Sequence, residues 1–94
     1  MIRHIVMWKF KSGEEENMKK FLSELNALNG RLPMIKYMET GINITPNSGC
    51  DAVLVSDFES MEDLEAYKNH PEHKAVSKLC KSIREARYAV DYEY

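Results

Sequence analysis

Apolar and polar residues alternate along the first strand-like segment. Ile2, His4, Val6, Trp8 and Phe10 fall on one face, and Arg3, Ile5, Met7 and Lys9 on the other. A period of two marks a β-strand, because successive side chains leave opposite faces of a pleated backbone. Both faces carry apolar groups, which predicts a central strand covered on both sides. The period then changes. Met18, Phe21, Leu22, Leu25 and Leu28 recur at intervals of three and four, one stripe of a helix over residues 14–30. Ser12 and Glu15 have the spacing of a capping box, the acidic run Glu14-Glu15-Glu16 suits the positive end of the helix dipole, and Asn29-Gly30 is a helix stop.

Leu32-Pro33 opens a connector, and alternation returns over residues 35–44 and 50–58, two strands joined by the turn-forming Pro46-Asn47-Ser48-Gly49. So short a connection predicts an antiparallel hairpin. Ser60 can cap a short helix carrying Met61, Leu64 and Tyr67, and His70-Pro71 breaks it, since a residue before proline avoids the helical region. Pro71 suits the first turn of a further helix, with Ala75, Val76, Leu79, Cys80 and Ile83 as its apolar stripe and Lys74, Lys78, Lys81 and Arg84 on its wet side. Residues 87–93 alternate as a last strand, with Tyr88, Val90 and Tyr92 opposite Ala89 and Asp91. The order βαββαβ predicts an α+β, ferredoxin-like unit: a four-stranded antiparallel sheet with helices on one face. Its other face, with Ile5 and Met7 on it, is too apolar to stay in water. Two such sheets packed face to face in a homodimer would cover it.

A length of 94 residues allows one domain spanning residues 1–94. Thirteen Lys+Arg against fifteen Asp+Glu give a net charge of −2, which argues against a nucleic-acid partner. The βαββαβ order also fits an RNA-recognition module, but Asp51-Ala52-Val53-Leu54-Val55-Ser56 lacks the stacking aromatics that module needs. The longest apolar run, Ile5-Val6-Met7-Trp8, is far short of the roughly 20 residues of a membrane span, so no membrane partner is expected. No secretory pattern is visible in Met1-Ile2-Arg3-His4, and Cys50 and Cys80 stand apart as expected interior fillers; a reduced, cytoplasmic setting is expected. The glycines are scattered, so no phosphate loop is suggested. His70 and His73 have helical metal-ligand spacing, but Pro71 lies between them and no carboxylate completes a set; no metal site is expected.

Several segments together resemble the stress-responsive dimeric α/β-barrel (Dabb) family. They are Ile2-Arg3-His4-Ile5-Val6-Met7-Trp8-Lys9-Phe10, Leu32-Pro33, Glu39-Thr40-Gly41, Ser56-Asp57-Phe58-Glu59-Ser60, Ala66-Tyr67-Lys68-Asn69-His70-Pro71-Glu72-His73 and Val90-Asp91-Tyr92. The tyrosine followed by His-Pro-x-His is the most specific of these. The resemblance implies a homodimer whose two sheets form a barrel-like core. The family includes a plant polyketide cyclase that uses no cofactor, and a related superfamily contains cofactor-free monooxygenases. Plant members are linked to stress responses.

By that resemblance, His73 would act as a general base and Tyr67 would orient a substrate carbonyl or enolate, with no metal or redox cofactor. Leu25 and Ala52 stand where the cyclase branch carries a tyrosine and a histidine, so the pocket would be more apolar here. From the residues themselves, His4 shares a face with Val6 and Trp8 and would look into the space between sheet and helices. A histidine near a helix N-terminus, as His73 is, is biased toward its neutral form. Trp8, Leu25 and Ala52 are the expected ligand-contacting residues. Structural roles compete with all of these: His4 bonded to a backbone group, Tyr67 as a core aromatic, His73 tying a loop carbonyl, and His70 as an exposed helix-break residue. Asp57 and Asp91 are expected to pair with basic groups or backbone. Three functions follow: a homodimer holding a small apolar or aromatic ligand between sheet and helices, a cofactor-free enzyme acting on a carbonyl or aromatic compound, or an interaction domain. A deep pocket in each protomer would separate the second from the others.

Overall fold

The first strand forms as expected, β1 (Ile2–Phe10), and lies inside the sheet of the computed structural model, which describes all 94 residues. It is followed by α1 (Glu15–Asn26), β2 (Tyr37–Ile42), β3 (Ala52–Phe58), α2 (Met61–Asn69), α3 (Pro71–Ile83) and β4 (Arg84–Glu93). The sheet order is β2-β3-β1-β4 and every pairing is antiparallel, a ferredoxin-like arrangement. No helix is long and apolar enough to cross a membrane.

The helices cover one face. Val6, Trp8 and Phe10 of β1 and Leu54 and Phe58 of β3 are buried there against Met18, Phe21, Leu22 and Leu25 of α1, Leu64 and Tyr67 of α2, and Val76, Cys80 and Ile83 of α3. Trp8 meets Phe21 edge to face at 5.1 Å between ring centroids. Phe58 packs against Tyr67 at the same separation. Registers Ile5↔Val55, Ile5↔Val90, Met7↔Val53 and Met7↔Tyr88 place these residues together on the opposite face, with no element over them.

The ends of the elements depart from the pattern. The first helix stops at Asn26, not 30: Leu28 and Asn29 donate to carbonyls three residues back. Leu28 stays buried through that tightened turn, so the apolar spacing outlasts the α-helix. No side chain caps α1; Glu14 is its first flanking residue, and the Ser12 capping box does not form. The second and third strands are shorter than residues 35–44 and 50–58. Asp51 instead bonds β1: its amide donates to the Trp8 carbonyl at 2.7 Å and its carboxylate accepts from the Phe10 amide at 2.7 Å. The last strand begins at Arg84, directly out of α3. Cys80 is buried as expected, but Cys50 is only half-buried in the hairpin loop.

The Ser60 cap does form, accepting from the Asp63 amide at 3.1 Å. His70 does more than end α2. Its extended backbone (φ −66°, ψ 135°) stops that helix, and its Nδ1 accepts from the Glu72 amide at 3.1 Å, capping α3. It is half-buried in this role, where exposure was expected.

Candidate functional site

The kink at His70-Pro71 joins the end of α2, which packs over β1 and β3, to the start of α3. Tyr67 occupies the last full turn of α2, and His73 the first turn of α3. Their rings lie 4.4 Å apart between centroids, and the His4 ring of β1 lies 6.5 Å from that of Tyr67, edge on. The three residues singled out in the sequence therefore converge.

Their protonation follows from their partners. His73 Nδ1 lies 3.2 Å from the Lys68 carbonyl oxygen. A carbonyl only accepts, so Nδ1 carries the proton and the neutral ring keeps a free lone pair on Nε2. Burial pushes the His73 pKa below its ordinary value; the Lys68 carbonyl opposes this, while His4 and Arg87 reinforce it. His4 is 3% exposed, and its Nδ1 lies 2.5 Å from a carboxylate oxygen of Asp91. The antiparallel register His4↔Asp91 sets up that contact. Burial lowers the His4 pKa more than the carboxylate raises it, so a neutral imidazole donates to Asp91 and again leaves Nε2 free. Lys68 Nζ stands 3.8 Å from the other Asp91 oxygen.

Tyr67 is fully buried, and its hydroxyl is the one buried side-chain polar atom with no hydrogen-bond partner. Leaving such a group unpaired costs about 1–3 kcal/mol. Burial raises its pKa, so the phenol stays protonated and able to donate.

These groups line a cavity of about 840 Å³ between the helices and the β1–β4 side of the sheet. Small-molecule sites run to roughly 300–1,000 Å³, so this is room for a ligand of drug size. Val6, Trp8, Phe21, Leu25 and Leu54 supply its apolar wall. Of the residues expected to touch a ligand, Trp8 and Leu25 line this cavity. Ala52 is not part of the lining; it is buried in the sheet core. No three His, Cys, Asp or Glu side chains gather into a metal-holding group.

Sequence reasoning missed two features. Asp91 was expected to pair with Lys, Arg or backbone, and Lys68 does stand near it, but its nearer partner is His4, which was not expected. The faces of β1 and β4 were legible, but the register that joins the two residues was not. The residues assigned to the wet side of α3 are on it, with Lys74, Lys78 and Lys81 exposed, but they also rim the cavity together with Arg84, Lys68 and Arg87, which was not expected.

Fold and site together define a small ferredoxin-like α+β domain with a histidine- and tyrosine-lined pocket under its helices. The chain belongs to the stress responsive A/B barrel domain family, which it matches over residues 2–94. A stress-response A/B barrel domain-containing protein of Arabidopsis thaliana is 34% identical over 98 residues; the match covers 98% of this chain and 46% of that protein, so the chain spans about half its length. Among solved structures, a dimeric protein of unknown function and ferredoxin-like fold from Bacteroides fragilis superposes with a TM-score of 0.92 at 31% identity, over 99% of this chain and 95% of the other. A hydroxynitrile lyase from Passiflora edulis superposes with a TM-score of 0.85 at 21% identity, covering 97% and 90% of the two chains; that likeness is one of fold.

Proposed function

We propose that the protein is a homodimer in which each protomer holds a small carbonyl-bearing or aromatic compound between sheet and helices and performs acid–base chemistry on it. The observation that carries this reading is the unpartnered Tyr67 hydroxyl, buried in a ligand-sized cavity beside two neutral imidazoles. A polar group left without a partner in a pocket wall is available to bond what enters the pocket.

In this reading His73 is the base. Its Nε2 takes a proton from a carbon next to the substrate carbonyl, and the electron pair moves into an enolate. The enolate oxygen accepts a hydrogen bond from the Tyr67 hydroxyl, which donates without losing its proton. The imidazolium then returns the proton to carbon or oxygen, restoring neutral His73. In this reading His4, oriented by Asp91, adds a second neutral imidazole on the pocket wall that can share that proton. A base whose pKa lies near or below neutrality is unprotonated at pH 7 and ready to act. The homodimer is supported by the uncovered apolar face of the sheet and by the dimeric Bacteroides fragilis structure.

The test is solvent deuterium exchange at the α-carbon of a panel of aryl ketones and β-keto esters, followed by NMR. Exchange above the buffer rate is expected for at least one member. It should fall about 100-fold or more in His73→Gln and also drop in Tyr67→Phe. Binding without exchange anywhere in the panel would reduce the site to a binding pocket.

A further inference from the structure

The cavity's charge is as unusual as its size. Six cations line it, Lys68, Lys74, Lys78, Lys81, Arg84 and Arg87, and none of its lining residues is acidic. The chain as a whole is acidic, with 13 Lys+Arg against 15 Asp+Glu. Almost half of its cations therefore gather at one opening. Lys68 has Glu65 and Asp91 each at 3.8 Å, but the other five have no carboxylate within salt-bridge reach.

Helix electrostatics do not explain the cluster. Lys81 in the last turn of α3 suits the negative end of the dipole, whereas Lys74 sits near the positive end, where a cation is disfavoured. Lys74, Lys78 and Lys81 are spaced by four and three, so they form one ridge and repel one another. Arg84 and Arg87 stand on the adjoining start of β4. The Arg87↔Trp8 register puts Arg87 on the helix-covered face of the sheet, toward the apolar wall. A concave, low-dielectric site ringed by one sign of charge concentrates the field and draws the opposite charge.

We propose that the cavity selects an amphipathic anion: an apolar or aromatic body against Trp8, Leu25 and Leu54, with a carboxylate or phosphate held between the α3 ridge and the β4 arginines. This deepens the proposed function and rests on its ligand-cavity reading. It narrows the substrate class to acids, or to compounds carrying an acidic handle, with the reacting carbonyl nearer His73 and Tyr67.

Trp8 is the chain's one tryptophan and lines the cavity, so its fluorescence reports occupancy without a label. The probes are octanol, octanoate and octyl phosphate, which share one apolar body and do not absorb where tryptophan does. Octanoate or octyl phosphate should bind about tenfold tighter than octanol at low salt, and the ratio should shrink at about 0.5 M salt as screening sets in. Whichever acid binds tighter identifies the headgroup. Lys78→Gln and Arg87→Gln should each lower the acid-to-alcohol ratio about threefold or more, and Lys36→Gln, away from the cavity, should not. Equal affinity for octanol and the acids would overturn anion selection and leave the ligand cavity standing. No response to any of the three would overturn both.

Discussion

His4 lies far in sequence from Tyr67 and His73, yet the three share one buried space, and burial governs the chemistry of each. Both histidines are held below the ordinary imidazole pKa. The unfolded chain therefore binds protons that the folded chain refuses once the pH drops below about 6.5. Their stabilising contribution is full above that pH and is lost as the pH falls toward their folded values. Asp57 behaves oppositely in position. Arg3, through paired contacts at 2.8 and 2.9 Å, and Tyr94 hold its pKa below 3.8, so its contribution is lost only in stronger acid. Urea midpoints measured between about pH 7 and pH 5 thus isolate the histidines. The wild type should weaken across that range, and a His4→Gln/His73→Gln variant should give a flatter profile; parallel profiles would show that neither imidazole is buried neutral. At this scale the sequence was informative where a residue's role follows from its own neighbours along the chain. His73 sits beside a proline break, and that alone marks it. Asp91 could not be matched with His4, because a two-residue slip in register would have kept its carboxylate on the same face and given it another partner.

The elements show which local signals can be trusted to place a site. Ser60 and Ser12 look alike in the sequence, each a serine ahead of an acidic run, but only Ser60 bonds an amide of its helix. Ser60→Ala should cost about 1 kcal/mol, whereas Ser12→Ala should stay within about 0.5 kcal/mol of wild type. Chemical denaturation of the two variants side by side checks the contrast, and equal losses would contradict the observed caps. The reason lies between cap and helix: Gly13 has a positive φ of 84°, so the chain turns after Ser12 and the helix starts beyond its reach. The period of the apolar residues located every strand and helix correctly, because burial dictates it. It could not locate their ends, as Leu28 and Ile35 are buried from turns rather than from the elements whose rhythm they continue. The period was also silent on the cationic ridge. Lys74, Lys78 and Lys81 are off the apolar stripe and exposed, as off-stripe residues were expected to be. On a helix that overhangs an open cavity, the flank of the stripe faces the cavity mouth.

For the whole molecule the open question is the bare face of the sheet. Met7 is 43% exposed, Val90 55% and Tyr88 57%, and they sit side by side by register with Ile5, Val53 and Val55. A patch of this composition, continuous across three strands, is what a second copy of the same sheet would cover. One charge beside the patch is already paired: Arg3 and Tyr94 both bond Asp57, and Arg3 also lies 4.8 Å from the Tyr94 ring centroid. Association centred on Ile5, Met7, Tyr88 and Val90 would therefore bury apolar area with Arg3 and Asp57 already matched, and Lys9 near the end of β1 and Glu39 on the edge strand β2 suit a polar rim. Light scattering at micromolar concentration should give twice the 10.9 kDa chain mass. Val90→Asp sets a carboxylate against Ile5 at the middle of the patch and should return the mass to that of one chain. The cavity lies on the other side of the sheet, so the monomeric variant should still take up a ligand. Because a dimer is favoured by mass action, the wild-type Tm should rise with protein concentration and that of Val90→Asp should not. A wild-type mass of one chain would leave the apolar face unexplained by self-association and would remove the homodimer from the proposed function, while leaving the acid–base cavity to be judged on its own tests.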